Sequence, residues 1–139
     1  DVFALISTHL RHKEIAFEFI PDPDLPAVSG LADQLRQVVL NLFHNAVEVM
    51  QQGGRLMAQT SIWTDTHEAL LSVSDTGPGI DPEILPKIFD PFITSNNTGT
   101  GLGLTITHDI IEQHHGRIEA QNNSDGGAVF HVWLPMEGM

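Results

Sequence analysis

Leu31-Ala-Asp-Gln34-Leu35-Arg-Gln37-Val38-Val39-Leu-Asn41-Leu42-Phe43-His-Asn45-Ala46-Val-Glu48-Val49-Met50-Gln51 repeats its apolar residues at helical spacing. Leu35, Val38, Val39, Leu42, Phe43, Ala46, Val49 and Met50 fall on one arc, and Gly53-Gly54 ends the pattern. Beside that arc Gln34, Gln37, Asn41, Asn45 and Glu48 make a narrow polar stripe. Taken alone the stripe reads equally well as a solvated helix face. Its oxygens also suit Mg²⁺, which takes oxygen ligands in octahedral geometry and shares its shell with substrate phosphates.

Outward from this helix the period changes from 3.6 to 2. Residues 15–20 alternate as a strand before the Pro21-Asp-Pro-Asp-Leu-Pro26 break, and residues 2–12 read as a helix end or lead-in. Residues 55–63 and 68–75 read as two strands around a polar turn. Asp81-Pro82 has the form of an N-cap with proline at the first helical position, which predicts a short helix to about Ile88. Residues 102–115 form a second long helix stopped at Gly116. Residues 117–121 and 128–134 close the chain as a hairpin around Asn122-Asn-Ser-Asp-Gly-Gly127. The expected fold class is α/β (α+β): a two-layer sandwich with a mixed sheet of about five strands, covered on one face by about three helices. The abrupt start inside a helical pattern suggests a fragment excised from a longer protein.

Composition narrows the chemistry. With 139 residues and 41% hydrophobic content, one domain can bury a core without metal or disulfide staples. There are no cysteines, so thiolate chemistry and cysteine-ligated zinc are excluded. No apolar run reaches the roughly 20 residues needed to cross a bilayer, and no signal-peptide layout opens the chain, so a cytoplasmic location is expected. The net charge is -12 and the six cations are scattered, which argues against nucleic acid as a partner. An acidic protein that binds phosphates must do so with backbone N–H groups, helix N-termini and a divalent cation.

Two further segments fit that requirement. Asp75-Thr-Gly77-Pro-Gly79 follows the apolar strand Leu70, Leu71, Val73, so the carboxylate sits at the strand exit. There it can accept a hydrogen bond from an exocyclic amine such as that of adenine, while the glycines permit close backbone approach. Gly99-Thr-Gly101-Leu-Gly103-Leu opens the second helix and offers several N–H groups at its positive end. It is neither a dinucleotide fingerprint nor a P-loop, because the third glycine comes one residue too early and no Gly-Lys-Ser/Thr follows.

Together with Phe89-Asp-Pro-Phe92, these segments resemble in content and order the N, G1, F and G2 boxes of the catalytic ATP-binding domain of sensor histidine kinases. That branch belongs with the ATPases of gyrase, the heat-shock chaperones and MutL. The likeness spans residues 15 to 135, and implies a catalytic ATP-binding domain at 15–136 between the end of a preceding helix or linker at 1–14 and a tail at 137–139. By the resemblance, Asn45 holds Mg²⁺, Asn41 assists at the phosphates, Asp75 binds adenine, and residues 81 to 101 form an ATP lid. The same comparison assigns Gly77, Gly79, Ile80, Phe92, Thr94, Gly99, Thr100, Gly101, Leu102, Gly103 and Leu104 to the nucleotide pocket. It implies ATP and Mg²⁺ as cofactors. The implied partners are a histidine-containing dimerisation domain of the same protein, absent from this chain, and a response-regulator receiver domain, with homodimers and any membrane anchor belonging to the full-length protein.

Asn41 separates the branches. Relatives that hydrolyse ATP or phosphorylate serine carry glutamate there as a general base. A neutral imidazole is already nucleophilic near pH 7 and needs little such help, so an amide favours transfer to histidine. Departures from the family pattern are Asn96 and Asn97 where a lysine often follows the F box, Glu48 and Val49 for a basic and an aromatic residue, and Ala128 for a threonine at the adenine site. They remove cations and a stacking surface, and bear on affinity. His67-Glu68 and His108-Asp109 mimic the start of a phosphoacceptor sequence without its proline. Two other readings stay open: a related ATPase or anti-sigma-type serine kinase, and a nucleotide-sensing module without catalysis.

Overall fold

Where the sequence alternates with period two it forms strands, and where apolar residues recur at 3.6 it forms helices. The computed structural model describes residues 10–20, 32–50, 53–63, 65–90, 103–124 and 126–135. Its elements are β1 (Ala16–Ile20), α1 (Ala32–Val49), β2 (Arg55–Trp63), β3 (Glu68–Asp75), α2 (Gly103–Gln113), β4 (Arg117–Asn122) and β5 (Ala128–Pro135), with residues 10–12 also helical. The five strands form one mixed sheet in the order β1-β2-β3-β5-β4. β1 pairs parallel to β2, and the other neighbours are antiparallel. The expected two-layer sandwich with a mixed five-stranded sheet is what forms.

Register places the functional end of the molecule. Leu56 pairs with Asp75 and Asn122 with Ala128, so the start of β2, the end of β3, the end of β4 and the start of β5 all lie at one edge of the sheet. α1 finishes at that edge, because Thr76 Oγ1 lies 3.9 Å from Met50 Sδ and also accepts the Arg55 N–H at 2.9 Å. α2 runs the other way: three residues separate its last residue, Gln113, from the far end of β4 at Arg117. The first residue of α2, Gly103, therefore lies on the same side as Asp75 and the C-terminal half of α1.

The inward faces carry Leu56, Ala58, Val73, Ile118, Ala128, Phe130 and Val132, which meet Val38, Leu42, Phe43, Ala46, Val47 and Met50 of α1 and its end, and Leu104 and Ile111 of α2. Leu35 and Val39, expected on the apolar arc, are only half-buried, and Val47 joins the core beside Ala46. Lys13 closes the C-terminal end of α1: its Nζ donates to Val47 O at 2.8 Å and Met50 O at 3.1 Å, two carbonyls the helix cannot satisfy itself. On the outward face Trp133 is buried beneath Trp63, and the Arg117 guanidinium carbon lies 4.3 Å from its ring centroid. Among the described residues no helix is long and apolar enough to cross a membrane.

One local expectation needs correction. The Asp81-Pro82 segment does not make an α-helix: Asp81 Oδ1 accepts the Glu83 N–H at 2.9 Å, but the turn continues only as a 3-10 helix, Leu85–Lys87. Pro86 explains this, because it lacks the N–H for an i to i−4 bond and disfavours helical geometry at Leu85. α2 stops before Gly116, as expected, and the left-handed residue there is His115 (φ 62°). Gly116 is required for a different reason, since a Cβ there would lie 2.3 Å from Trp133 O. The elements expected at residues 1–9 and 21–31 lie outside the described residues.

Candidate nucleotide-binding site

Asp75 faces inward because it pairs with core residue Leu56 across the sheet, and it is 5% exposed. Its Oδ1 accepts the Gly77 N–H at 2.8 Å and the Ala128 N–H at 3.4 Å. Both contacts fall on one oxygen, which leaves Oδ2 as the acceptor for a ligand. Burial pushes the carboxyl above its ordinary value of 3.8, and the two backbone N–H groups oppose that rise. The contact from β5 comes through the backbone of Ala128, so it does not depend on which side chain stands there.

The loop after Asp75 is held by a residue that sequence reading had assigned only to a turn. Asn122 accepts the Ile80 N–H at 2.6 Å through Oδ1 and donates to Ile80 O at 2.8 Å through Nδ2. Its amide thus pairs with Ile80 as another strand would, and Ile80 is buried in the core. The sequence signal was weak: an asparagine ending a strand, with donor and acceptor both available.

Gly127 packs against the back of Asp75. A Cβ on it would lie 1.9 Å from Asp75 O and 2.8 Å from the carbonyl carbon, and its φ is +83°. Gly127→Ala should therefore push Asp75 out of place and cost about 2–3 kcal/mol, a Tm lower by roughly 5–10 °C. Gly126 also has positive φ, +102°, but nothing within 4 Å of a Cβ. Gly126→Ala should show only the backbone strain of about 1–2 kcal/mol. Thermal melts of the two variants separate strain from overlap, and equal losses would remove the steric argument.

Asn41 and Asn45 lie on α1 one turn apart, both half-buried. Asn41 is held on two sides: Gln37 Nε2 donates to its Oδ1 at 2.6 Å, and its Nδ2 donates to Thr107 Oγ1 of α2 at 3.1 Å. A hard cation takes oxygen ligands, and Asn45 offers an amide oxygen at this position on α1. Glu48, the last of the stripe, lies 3.5 Å from His44 Nδ1.

The second helix ties the other motif in place. Thr105 Oγ1 donates to Phe89 O at 2.9 Å, and the Phe89 ring stacks on His108 at 5.5 Å and meets Phe130 edge-on at 6.2 Å. Leu104 is buried in the core, and Gly103 is the first residue of α2. Phe92, Thr94, Gly99, Thr100, Gly101 and Leu102 lie outside the described residues. Sequence reading missed Thr105, Thr107, Asn122 and Gly127 as parts of this site.

Comparison with known proteins identifies the family and the fold. Residues 30–138 match the family described as histidine kinase-, DNA gyrase B-, and HSP90-like ATPase. The sensor histidine kinase ZraS of Salmonella typhimurium is 36% identical over 132 residues, 95% of this chain and 28% of ZraS. This chain thus spans somewhat over a quarter of that relative's length. The catalytic domain of histidine kinase ThkA superposes with a TM-score of 0.85 at 34% identity, covering 96% of this chain and 87% of that domain. ThkA in complex with the response regulator protein TrrA gives 0.80 at 32% identity, covering 96% of this chain and 38% of the ThkA chain. The chain belongs to the histidine kinase-, DNA gyrase B- and HSP90-like ATPase family, as a catalytic ATPase-type domain of the sensor histidine kinase branch.

Proposed function

We propose that this domain binds ATP between α1, α2 and the exit of β3, and presents its γ-phosphoryl group to a histidine on a dimerisation segment of the same protein. Asp75 Oδ2 accepts the exocyclic amine of adenine. Gly77, Gly79 and Ile80 form the backbone wall beside the base, residues 81 to 101 form the lid, and Gly99 to Leu104 supply the phosphate loop. Asn41 donates an amide N–H to the phosphates. Mg²⁺, with Asn45 as its protein ligand, would supply charge neutralisation of the triphosphate when bound.

The attacking atom is a neutral imidazole nitrogen, which bonds to the γ-phosphorus as the bond to the bridging oxygen breaks and ADP leaves. The domain contributes position and electrostatics, not covalent chemistry. Asn41 carries no basic group, which suits an acceptor that needs none. The observation that carries the reading is Asp75: a buried carboxylate with one oxygen tied to two backbone N–H groups and the other left for a ligand. The phosphorylated histidine would then pass its group to a receiver domain, in keeping with the response-regulator complex of the similar kinase ThkA. The domain would work in the cytoplasm.

The test is to mix the 139 residues with labelled ATP, alone and with a separately expressed dimerisation segment of the same protein. ATP should bind in both cases, and acid-labile phosphate should appear only on the added segment. Steady ATP hydrolysis by the lone domain, or labelling of its own His67 or His108, would overturn the reading.

A further inference from the structure

Along β4 the inward positions are Ile118, Ala120 and Asn122, paired across the hairpin with Val132, Phe130 and Ala128. The first two pack on the core, and the third is an amide. The loop after Asp75 runs to it: Asn122 Oδ1 accepts the Ile80 N–H at 2.6 Å, and its Nδ2 donates to Ile80 O at 2.8 Å. A backbone N–H only donates and a backbone carbonyl only accepts, so these partners admit one orientation of the amide. Gly79 is fitted to the same contact, since its φ is +83° and a Cβ there would lie 2.9 Å from Asn122 Oδ1. Across the hairpin from Asn122 stands Ala128, whose N–H reaches Asp75 Oδ1 at 3.4 Å, while the Gly77 N–H reaches that oxygen at 2.8 Å. One cross-strand pair thus holds both halves of the base site, the carboxylate through Ala128 and the wall through Asn122.

We propose that Asn122 is a positioning residue for recognition of the base: by tying Ile80 to the end of β4 it sets the wall of Gly77, Gly79 and Ile80 relative to Asp75, and preference for adenine over a 6-keto purine depends on that spacing. The inference rests on the ATP-binding reading above and goes beyond it, because Asn122 lies outside the motifs that suggested that reading. A hydrogen bond from an exocyclic amine weakens steeply once donor and acceptor leave alignment, so a base free to tilt loses it. A purine with an oxygen in that place has no such bond to lose. Loosening the wall therefore weakens binding of adenine and not of its 6-keto analogue. Asn122 is itself exposed, so removing its amide opens no cavity in the core, and Ile80 stays anchored by its buried side chain.

The experiment measures, with Mg²⁺ present, the binding of ATP and of ITP, the inosine nucleotide that carries a keto oxygen in place of the adenine amine. Asn122→Asp keeps the shape and an acceptor for the Ile80 N–H but sets a second oxygen against Ile80 O, and Asn122→Ala removes both contacts. Gln121→Glu, an exposed change on the outward side of β4, adds the same charge and spares the clamp. Both Asn122 variants should lose about tenfold in ATP affinity while ITP affinity changes by less than about threefold, and the Ile80 N–H should exchange faster with solvent by NMR. Retained ITP binding itself reports an intact fold. Gln121→Glu should stay within about threefold of the wild type for both nucleotides. ATP and ITP affinities that fall in equal proportion, a preference for ATP kept after Ile80 protection is lost, or the same loss from Gln121→Glu would overturn the proposal. A wild type that binds ATP and ITP equally would overturn the reading of Asp75 as the adenine contact together with this inference, whereas a wild-type preference that survives in both Asn122 variants overturns the positioning role alone.

Discussion

Asp75→Asn should lower ATP affinity ten- to hundredfold while leaving the fold intact. An asparagine keeps an oxygen for the Gly77 and Ala128 N–H groups, but the atom facing the adenine amine becomes neutral or a second donor. A buried charge-assisted hydrogen bond contributes roughly 1.5–3 kcal/mol, which converts to that range of affinity. The fold survives for a reason visible in the electrostatics. Burial raises the Asp75 carboxyl above 3.8, so between that value and the raised one the native state holds more proton than the unfolded state. Stability contributed by this group is therefore present below 3.8 and lost as pH rises through the raised value. Near neutral pH the ionised carboxylate opposes folding, and removing its charge does not. ATP affinity runs the other way with pH, falling as acid protonates the acceptor. Calorimetric titration of the folded variant checks this, and unchanged affinity would dismiss Asp75 as the adenine contact.

Chelating Mg²⁺ should weaken ATP binding by on the order of a hundredfold or more, because the domain supplies little positive charge of its own against a net charge of -12. The six cations are accounted for one by one. Lys13 is held by the carbonyls at the end of α1 and Arg117 is stacked on Trp133 on the outward face, while Arg55, exposed at the start of β2, lines a cavity with Met57, Ser74, Asp75 and Thr76 at the adenine end of the proposed site and not at the phosphate end. Arg36 lies near the start of α1, about 14 Å along the helix from Asn45, and Arg11 is exposed before β1. Lys87 is exposed on the 3-10 helix, and it is the only cation in the sequence between Asp75 and Gly101. Asn45→Ala should reproduce most of the loss, whereas Lys87→Ala should change affinity by less than about fivefold. Binding curves with and without EDTA across these variants test the assignment. Metal-independent affinity, or a large loss from Lys87→Ala alone, would show that the charge partner of the phosphates lies elsewhere.

Much of this was legible before the fold. Residues 55–63 and 68–75 form strands over the residues their alternation marks, because period two is a local property that survives into the sheet. α1 likewise follows from its arc. The short helix after Asp81 was misread because the capping signal at its start is strong, and the interruption at Pro86 acts only once the turn has begun. At the end of α2 the expected stop before Gly116 holds, with His115 taking the left-handed turn while Gly116 answers to a carbonyl on β5.

By itself the sequence determined the element types, the inward face of α1, the exit position of Asp75 and the class of ligand, since each depends on neighbours a few residues apart. It did not determine what holds those groups. The clamp of Asn122 on Ile80 spans 42 residues, the bond from Asn41 to Thr107 spans 66, and the contact of Ala128 with Asp75 spans 53. No local period encodes such pairs. They arise from a strand order that inserts β5 between β3 and β4, and from two helices running in opposite directions over one face, so that groups distant in the chain meet at one edge of the sheet.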